Sequence, residues 1–195
     1  MKISIITPTV QRESLRLCCE MVATQTHYDY EHIIVIDNDK LNQRLLEQCF
    51  YPRQTWLVTG KCTKNGGNTP RHIAWDKATG DWVYFLDDDN YLTSPTVLEE
   101  IAAALEGIEE QWALFPILRH GSRFYFDPPQ PCYFDTGNAI VRREIAQWPD
   151  INDYASDAVW LDGFKHLPYK AFPDANPIMV MPTTSFGAGG GINGQ

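Results

Sequence analysis

Long apolar runs are missing from this chain of 195 residues: no uninterrupted stretch exceeds five, Trp82 to Leu86 and Ile101 to Leu105 being the longest. A bilayer-spanning helix needs roughly 18, so no integral membrane segment is expected. The N-terminus lacks the apolar core of about 7 to 15 residues that a signal peptide carries, because Ile3-Ser4-Ile5-Ile6 runs straight into Thr7-Pro8. Cysteine is sparse and odd in number (Cys18, Cys19, Cys49, Cys62, Cys132), and no C-x-x-C pair occurs. That usage predicts reduced, mostly buried thiols, no zinc site, and a soluble cytoplasmic protein. Positive charge is also short. Sixteen Lys plus Arg against 25 Asp plus Glu leave a net charge of -9, and such a surface repels phosphate backbones, which argues against nucleic acid as a partner. G-x-S-x-G, the P-loop pattern and H-E-x-x-H are absent, so serine hydrolase, P-loop NTPase and zincin readings lack support.

What is present reads as strand and helix in alternation. Lys2 to Thr7 is a β-branched strand, and Glu13 to Ala23 a helix with Leu15, Cys18, Cys19 and Val22 on one face. Glu31 to Asp37 is an apolar strand closed by an acid, as expected for a strand buried on both faces of a parallel sheet. Lys40 to Phe50 reads as a helix with a Leu41, Leu45, Leu46 stripe, and Trp56 to Thr59 as a short strand. After the turn-rich Lys64-Asn65-Gly66-Gly67-Asn68, Thr69-Pro70 supplies a capping residue and a first-position proline for a helix to about Ala78. Gly80 is its expected left-handed stop. Trp82 to Leu86 is a fourth strand, and Ser94-Pro95 caps a helix through Leu105. This order predicts an open, mostly parallel α/β sheet flanked by helices.

The second half is less regular. Trp112 to Leu118, Ser122 to Phe126 and Asn138 to Val141 read as strands, Pro128 to Pro131 as a rigid loop, and Ser156 to Phe164 as a helix ended by Gly163. With no linker, repeat or charge block, a single domain over 1–195 is expected: a nucleotide-binding half (1–105), an acceptor and catalytic half (106–186) and a flexible glycine-rich tail (187–195). The literal G-x-G-x-x-G at Gly189, Gly191 and Gly194 has only Gln195 after it and no helix to open.

In open α/β sheets, ligands bind outside the carboxyl ends of the strands. Asp37 and Asp87-Asp88-Asp89 fall there. Three adjacent carboxylates repel one another unless a cation or hydrogen-bond donors compensate. Hard oxygen ligands of this kind suit Mg²⁺ or Mn²⁺, which complete their shell with phosphate and water; a solvated acidic turn is the alternative. An EF-hand would need glycine at its sixth position, where Leu92 stands. Asp37 either caps a turn or accepts a hydrogen bond from a base or ribose. Arg71 lies in the first turn of a helix, where a cation is disfavoured, which points to a partner, the Asp cluster or a phosphate; an ordinary surface position is the alternative.

Taken together, Ser4 to Thr9, Ile33 to Asp37, Asn65-Gly66-Gly67 with Pro70-Arg71 and Ala74, and Ala78-Thr79-Gly80-Asp81 running through the aromatic strand into Asp87-Asp88-Asp89 resemble the family 2 glycosyltransferases with the GT-A fold. The resemblance implies an inverting enzyme that uses a nucleotide-diphosphate sugar donor, UDP-sugar favoured, a glycan or other hydroxyl acceptor, and Mn²⁺ or Mg²⁺. It implies that Thr7, Pro8 and Thr9 lie at the base pocket, that Asp37 meets base or ribose, and that Asn65, Arg71, Asp87 and Asp88 contribute to donor binding. Asp89 becomes the metal ligand, with Asp87 and His166 as further candidates. The family's late-helix base maps onto Asp157, with Asp153 and Asp162 as rivals, and Phe134 to Asn138 is similar to its loop near the donor sugar. Trp160, Tyr133 and Phe134 can either stack on a sugar or pack in the core. A non-catalytic sugar-nucleotide binding module and a sugar-phosphate nucleotidyltransferase remain alternatives. The latter is weakened because Thr7-Pro8-Thr9-Val10 replaces its usual glycine-rich loop.

Overall fold

The computed structural model describes residues 1–130, 134–151 and 156–183. Its main sheet has seven strands: β1 (Ile3–Thr9), β2 (Tyr30–Ile36), β3 (Gln54–Val58), β4 (Trp82–Phe85), β6 (Trp112–Leu114), β9 (Ala139–Arg142) and β10 (Tyr169–Ala171). Their order is β10-β6-β9-β4-β1-β2-β3. β1 pairs in parallel with β2 from Ile3↔Tyr30 and with β4 from Ile3↔Trp82, and only β9 runs antiparallel to its neighbours. A smaller sheet is ordered β5-β11-β7-β8, from β5 (Tyr91–Leu92), β7 (Ile117–Arg119), β8 (Ser122–Phe124) and β11 (Met179–Met181).

Alternation along each strand divides the core in two. Ile3, Ile5, Tyr84, Ala113 and Ile140 face α1 (Leu15–Ala23) and α4 (Val97–Leu105). Ile6, Val83, Phe85, Trp112 and Val141 face the other way, packing with α3 (Asn68–Lys77) and α5 (Ser156–Phe164). Because β1 and β4 are covered on both faces, every residue in them is buried, which is why they read as near-continuous apolar runs. Three of the four described cysteines, Cys18, Cys19 and Cys49, are buried free thiols, and Cys62 is exposed. No helix among the described residues is long and apolar enough to cross a membrane.

Several local expectations give way to tertiary context. The stretch Trp112 to Leu118 is two strands in two sheets: Pro116, which has no N–H to donate to a ladder, separates β6 from β7. α2 (Gln43–Cys49) is shorter than expected; Leu45 and Cys49 are buried, whereas Leu41 lies outside it and is exposed. α3 starts earlier, with Gly67 at φ 84° as its N-cap, so Pro70 occupies the third helical position. Gly80 is not left-handed. It is needed for space, since a Cβ there would sit 2.7 Å from the Ser4 backbone nitrogen. Gly163 lies inside α5 rather than ending it. The tail 187–195 and Pro131 lie outside the described residues.

Thr7, expected in the base pocket, is fully buried, and its hydroxyl hydrogen-bonds His32 Nε2 at 2.9 Å. Burial pushes the imidazole pKa of His32 down to about 3. Its folded value lies below the unfolded value of about 6.5, so the unfolded chain binds the extra proton and stability is lost as pH falls below that value. Relative to His32→Gln, the wild-type protein is expected to lose about 2 kcal/mol between pH 6.5 and 5. Urea midpoints of the two proteins at each pH measure this; parallel pH profiles would refute it.

Candidate active site

The carboxyl ends of β1, β2 and β4 open on one edge of the sheet, and the loops leaving them enclose a cleft of about 480 Å³. Pro8, Thr9, Val10 and Arg12 line it after β1, and Asp37 after β2. Cys62, Lys64, Gly66 and Gly67 come from the loop before α3, Arg71 from α3 itself, and Asp87, Asp88 and Asp89 follow β4. Gly67 is required twice over: its φ is +84°, and a Cβ would meet Arg71 Nη1 at 2.9 Å and Pro8 Cβ at 3.1 Å.

Each acid has defined partners. Asp37 is 3% exposed and accepts from the Thr63 backbone N–H at 2.9 Å and the Thr63 hydroxyl at 2.8 Å. Asn65 does not line the cleft. It organises the loop, accepting from the Asn68 backbone N–H at 3.2 Å and donating to Thr69 Oγ1 at 2.8 Å. Arg71 is nearly buried, pairs with Asp87, donates to the Gly66 carbonyl at 2.8 Å and lies 4.7 Å from the centre of the Trp148 ring. Asp88 is 1% exposed with both oxygens engaged, one by the Thr9 hydroxyl at 2.6 Å and the other by Arg12 Nη1 at 2.6 Å. That geometry anchors Arg12 at the cleft that Asp88 also lines. The same guanidinium nitrogen lies 3.5 Å from Asp89 Oδ2.

Electrostatics follow from this packing. Burial, with the neighbouring acids, pushes the Asp88 carboxyl up to about 6 against the pull of Arg12. Burial and Asp87 also raise Asp89. Burial opposes the Arg12 charge, but Asp88 and Asp89 outweigh it and hold the guanidinium pKa above its usual value.

Asp157, which is not among the residues lining this cleft, is partly exposed in the first turn of α5, where its Oδ1 accepts from the Ala158 backbone N–H at 2.8 Å. Asp135 caps a 3-10 turn over Thr136–Asn138 and accepts from Gly137 N–H at 2.9 Å. Burial pushes the Asp135 carboxyl up to about 6, with the negative charges of Asp87 and Asp157 adding to it. The Asp135 carboxyl therefore senses the charges of both Asp87 and Asp157.

The model of the family described as "Glycosyl transferase family 2" matches residues 4–162. The chain belongs to glycosyl transferase family 2. It is 24% identical over 155 residues to an uncharacterized glycosyltransferase of Haemophilus influenzae, covering 76% of this chain and 51% of that protein. It is 28% identical over 112 residues to the poly(ribitol-phosphate) beta-N-acetylglucosaminyltransferase TarS of Staphylococcus aureus, covering 54% of this chain and 19% of TarS. The family 2 chain thus spans about half the length of the first relative and about a fifth of the second. Among solved structures, TarS residues 1–349 in complex with UDP-GlcNAc superpose with a TM-score of 0.75 at 16% identity, over 94% of this chain and 59% of that one. A mannosyltransferase from Pyrobaculum calidifontis in complex with GDP-Man and Mn²⁺ superposes with a TM-score of 0.60 at 15% identity, over 88% and 55%. At such identities the likeness establishes the fold, which is GT-A.

In this family 2 chain the structure brings Pro8, Thr9, Asp37, Arg71, Asp87, Asp88 and Asp89 together in one cleft. It leaves Thr7 in the core. His166 is exposed just past the carboxyl end of α5, whereas Asp157 lies in its first turn. Asp162 is exposed and paired with Lys165 at 2.5 Å. Asp153 and Tyr133 lie outside the described residues. Trp160, at 2% exposure, and Phe134, at 6%, pack in the core. Sequence reasoning missed Arg12 and Lys64. The available signal was their position, each in a loop that follows the carboxyl end of a parallel strand.

Proposed function

We propose that the chain moves a sugar from a nucleoside-diphosphate donor, a UDP-sugar, to an acceptor hydroxyl with inversion at the anomeric carbon. One observation carries the reading: in a family 2 chain, a cleft at the carboxyl edge of the sheet holds paired Arg and Asp side chains, and Asp157 stands in the first turn of α5. Within it, residues 1–105 serve the donor and 106–186 the acceptor. The TarS complex with UDP-GlcNAc and the mannosyltransferase complex with GDP-Man and Mn²⁺ support a nucleotide-sugar donor for a cleft of this type.

Asp157 takes the proton of the acceptor hydroxyl as its oxygen bonds to the anomeric carbon. The bond from that carbon to the diphosphate oxygen breaks, and its electron pair leaves with the diphosphate. Arg12, Lys64 and Arg71 face the charge that develops there; the anchored guanidiniums of Arg12 and Arg71 need little reorganisation as it forms. Asp37 lies beneath base or ribose, and Pro8 and Thr9 close the base side.

Asp87 and Asp89 have side-chain exposures of 33% and 21%. Two accessible carboxylates completed by phosphate oxygens are a donor set that Mg²⁺ or Mn²⁺ accepts. The residues therefore fit a divalent ion, with Asp89 the principal ligand and Asp87 beside it. When bound, such an ion supplies positive charge to the leaving diphosphate.

Calorimetric titration of UDP in the presence of Mn²⁺ or excess chelator tests the reading. Affinity is expected to rise at least about tenfold with metal, 1.4 kcal/mol. The same weak affinity for UDP, GDP and dTDP with and without Mn²⁺ would overturn it. Transfer, or slow donor hydrolysis, across a panel of nucleotide sugars separates an enzyme from a binding module. Pyrophosphate release from a nucleoside triphosphate and a sugar phosphate would indicate a nucleotidyltransferase.

A further inference from the structure

We propose that Trp148 is a positioning residue for Arg71: its indole, supplied by the second half of the chain, holds the guanidinium in the donor cleft. This rests on the donor reading above, in which Arg71 meets the diphosphate, and adds to it the residue that keeps Arg71 in place.

Trp148 is 1% exposed and docks on one face of α3. Its Nε1–H donates to Asn68 Oδ1 at 3.2 Å, its ring centre lies 4.7 Å from the Arg71 guanidinium carbon, and its backbone carbonyl is 2.8 Å from His72 Nδ1. Positions 68, 71 and 72 stand at i, i+3 and i+4, the spacing that shares a helix face. The same indole stacks on Trp160 with centroids 5.0 Å apart and meets Phe85 edge-on at 4.9 Å. The aromatic layer fixes the ring, and the ring fixes Arg71.

This contact differs in kind from the others that Arg71 makes. Asp87 and the Gly66 carbonyl both take up guanidinium N–H groups, the carbonyl from Nη1 at 2.8 Å. An aromatic face attracts the cation through the ring quadrupole and uses none of the in-plane N–H groups. Arg71 is 6% exposed, and its Nε–H is buried without a hydrogen-bond partner, so that N–H stays available to a phosphate oxygen. The first turn of a helix does not favour a cation. Asp87, with a side-chain exposure of 33%, is a partner for which water competes. The indole is shielded from that competition. Holding a long, rotamer-rich side chain in advance removes its ordering cost from ligand binding.

The test is a double-mutant cycle on the full chain, read as UDP affinity by calorimetry at one fixed Mn²⁺ concentration, with urea midpoints showing that each variant is folded at the assay temperature. Trp148→Leu is expected to weaken UDP by about 5- to 30-fold, the scale of a desolvated cation–π contact. Trp148→Phe keeps a ring face and should stay within about threefold of wild type. In an Arg71→Gln background, Trp148→Leu should add less than about twofold, because the two changes remove the same interaction. Trp148→Met, which fills space without a ring, takes the place of Trp148→Leu if the latter is unfolded. Equal losses in the two backgrounds would mark Trp148 as core packing alone; that result, or wild-type UDP affinity in Trp148→Leu, overturns the inference and leaves the donor reading standing. No UDP binding by the wild-type chain overturns the donor reading and the inference with it.

Discussion

Asp157→Asn is expected to bind UDP and Mn²⁺ within about twofold of wild type and to lower sugar transfer by a factor of about 10²–10⁴, the usual contribution of a positioned general base. The amide oxygen can still accept from Ala158 N–H, as Asp157 Oδ1 does at 2.8 Å, so the start of α5 is preserved. What is lost is the negative charge at a helix N-terminus, about 0.3–1 kcal/mol, and the ability to take a proton. Stopped assays with a saturating donor, beside a UDP titration, separate the two. Among the described residues the structure supplies a rival of its own. Asp135 carries a raised pKa and senses both Asp87 and Asp157, so Asp135→Asn belongs in the same series. If transfer survives in Asp157→Asn and disappears in Asp135→Asn, the base is Asp135. Asp162 is a poor rival. It lies five residues beyond Asp157, about 140° around the helix, and is exposed and paired with Lys165.

Trp160→Ala should cost about 3–5 kcal/mol of stability, the range for removing a buried large aromatic. For a chain of this size that corresponds to a fall in Tm of roughly 6–20 °C. The indole has ring centroids at 5.1 Å from Phe85, 5.0 Å from Trp148 and 4.8 Å from Phe164, and its Nε1–H donates to the Ala146 carbonyl at 3.3 Å. Truncation opens a void that fixed aromatic neighbours cannot close and leaves that carbonyl without its donor. Trp160→Phe, which keeps most of the volume, should lose much less. Urea denaturation with an unchanged m-value would mark the effect as native-state packing. Unchanged stability in Trp160→Ala with a loss of donor or acceptor affinity would instead place the indole against a sugar.

The reason to expect both effects from one helix is structural. Trp160, Leu161 and Phe164 bury one face of α5 against the layer of Phe85 and Trp112, and Asp157 projects from the first turn of that helix. Phe85 lies two residues before Asp87 on β4, so one aromatic cluster holds the proposed base and the acidic loop in register. Trp148 extends this control to Arg71, whose guanidinium it underlies at 4.7 Å. Trp148 is in turn held by its Nε1–H on Asn68 Oδ1 at 3.2 Å. None of this was visible along the chain, because Trp148 is 77 positions from Arg71 and no local pattern joins them.

Where the sequence reading failed, the cause was competition between local preference and distant partners. Thr7 belonged to a motif at a strand end, but parallel pairing on both sides of β1 encloses it and turns its hydroxyl to His32. Gly80 looked like a helix stop, yet its requirement comes from the backbone of β1, 76 positions away. The short strands β5, β10 and β11 have two or three residues each, too few for a periodic signal, and exist because neighbouring strands offer them an edge.

By itself, the sequence determined the alternation of strand and helix over the first 105 residues, the open sheet, and the placement of Asp37 and Asp87 to Asp89 at its carboxyl edge. These follow from hydrophobic period and turn chemistry, which act over a few residues. Only the tertiary structure decided that Arg12 and Arg71 pair with those acids, that Asp88 is buried with one oxygen held by Thr9 and the other by Arg12, that the Asp135 carboxyl senses both Asp87 and Asp157, and that Pro116 sends one run into two sheets. Each depends on which groups, far apart in the chain, share the same desolvated space, where an unpaired charge or backbone donor is costly enough to select its partner.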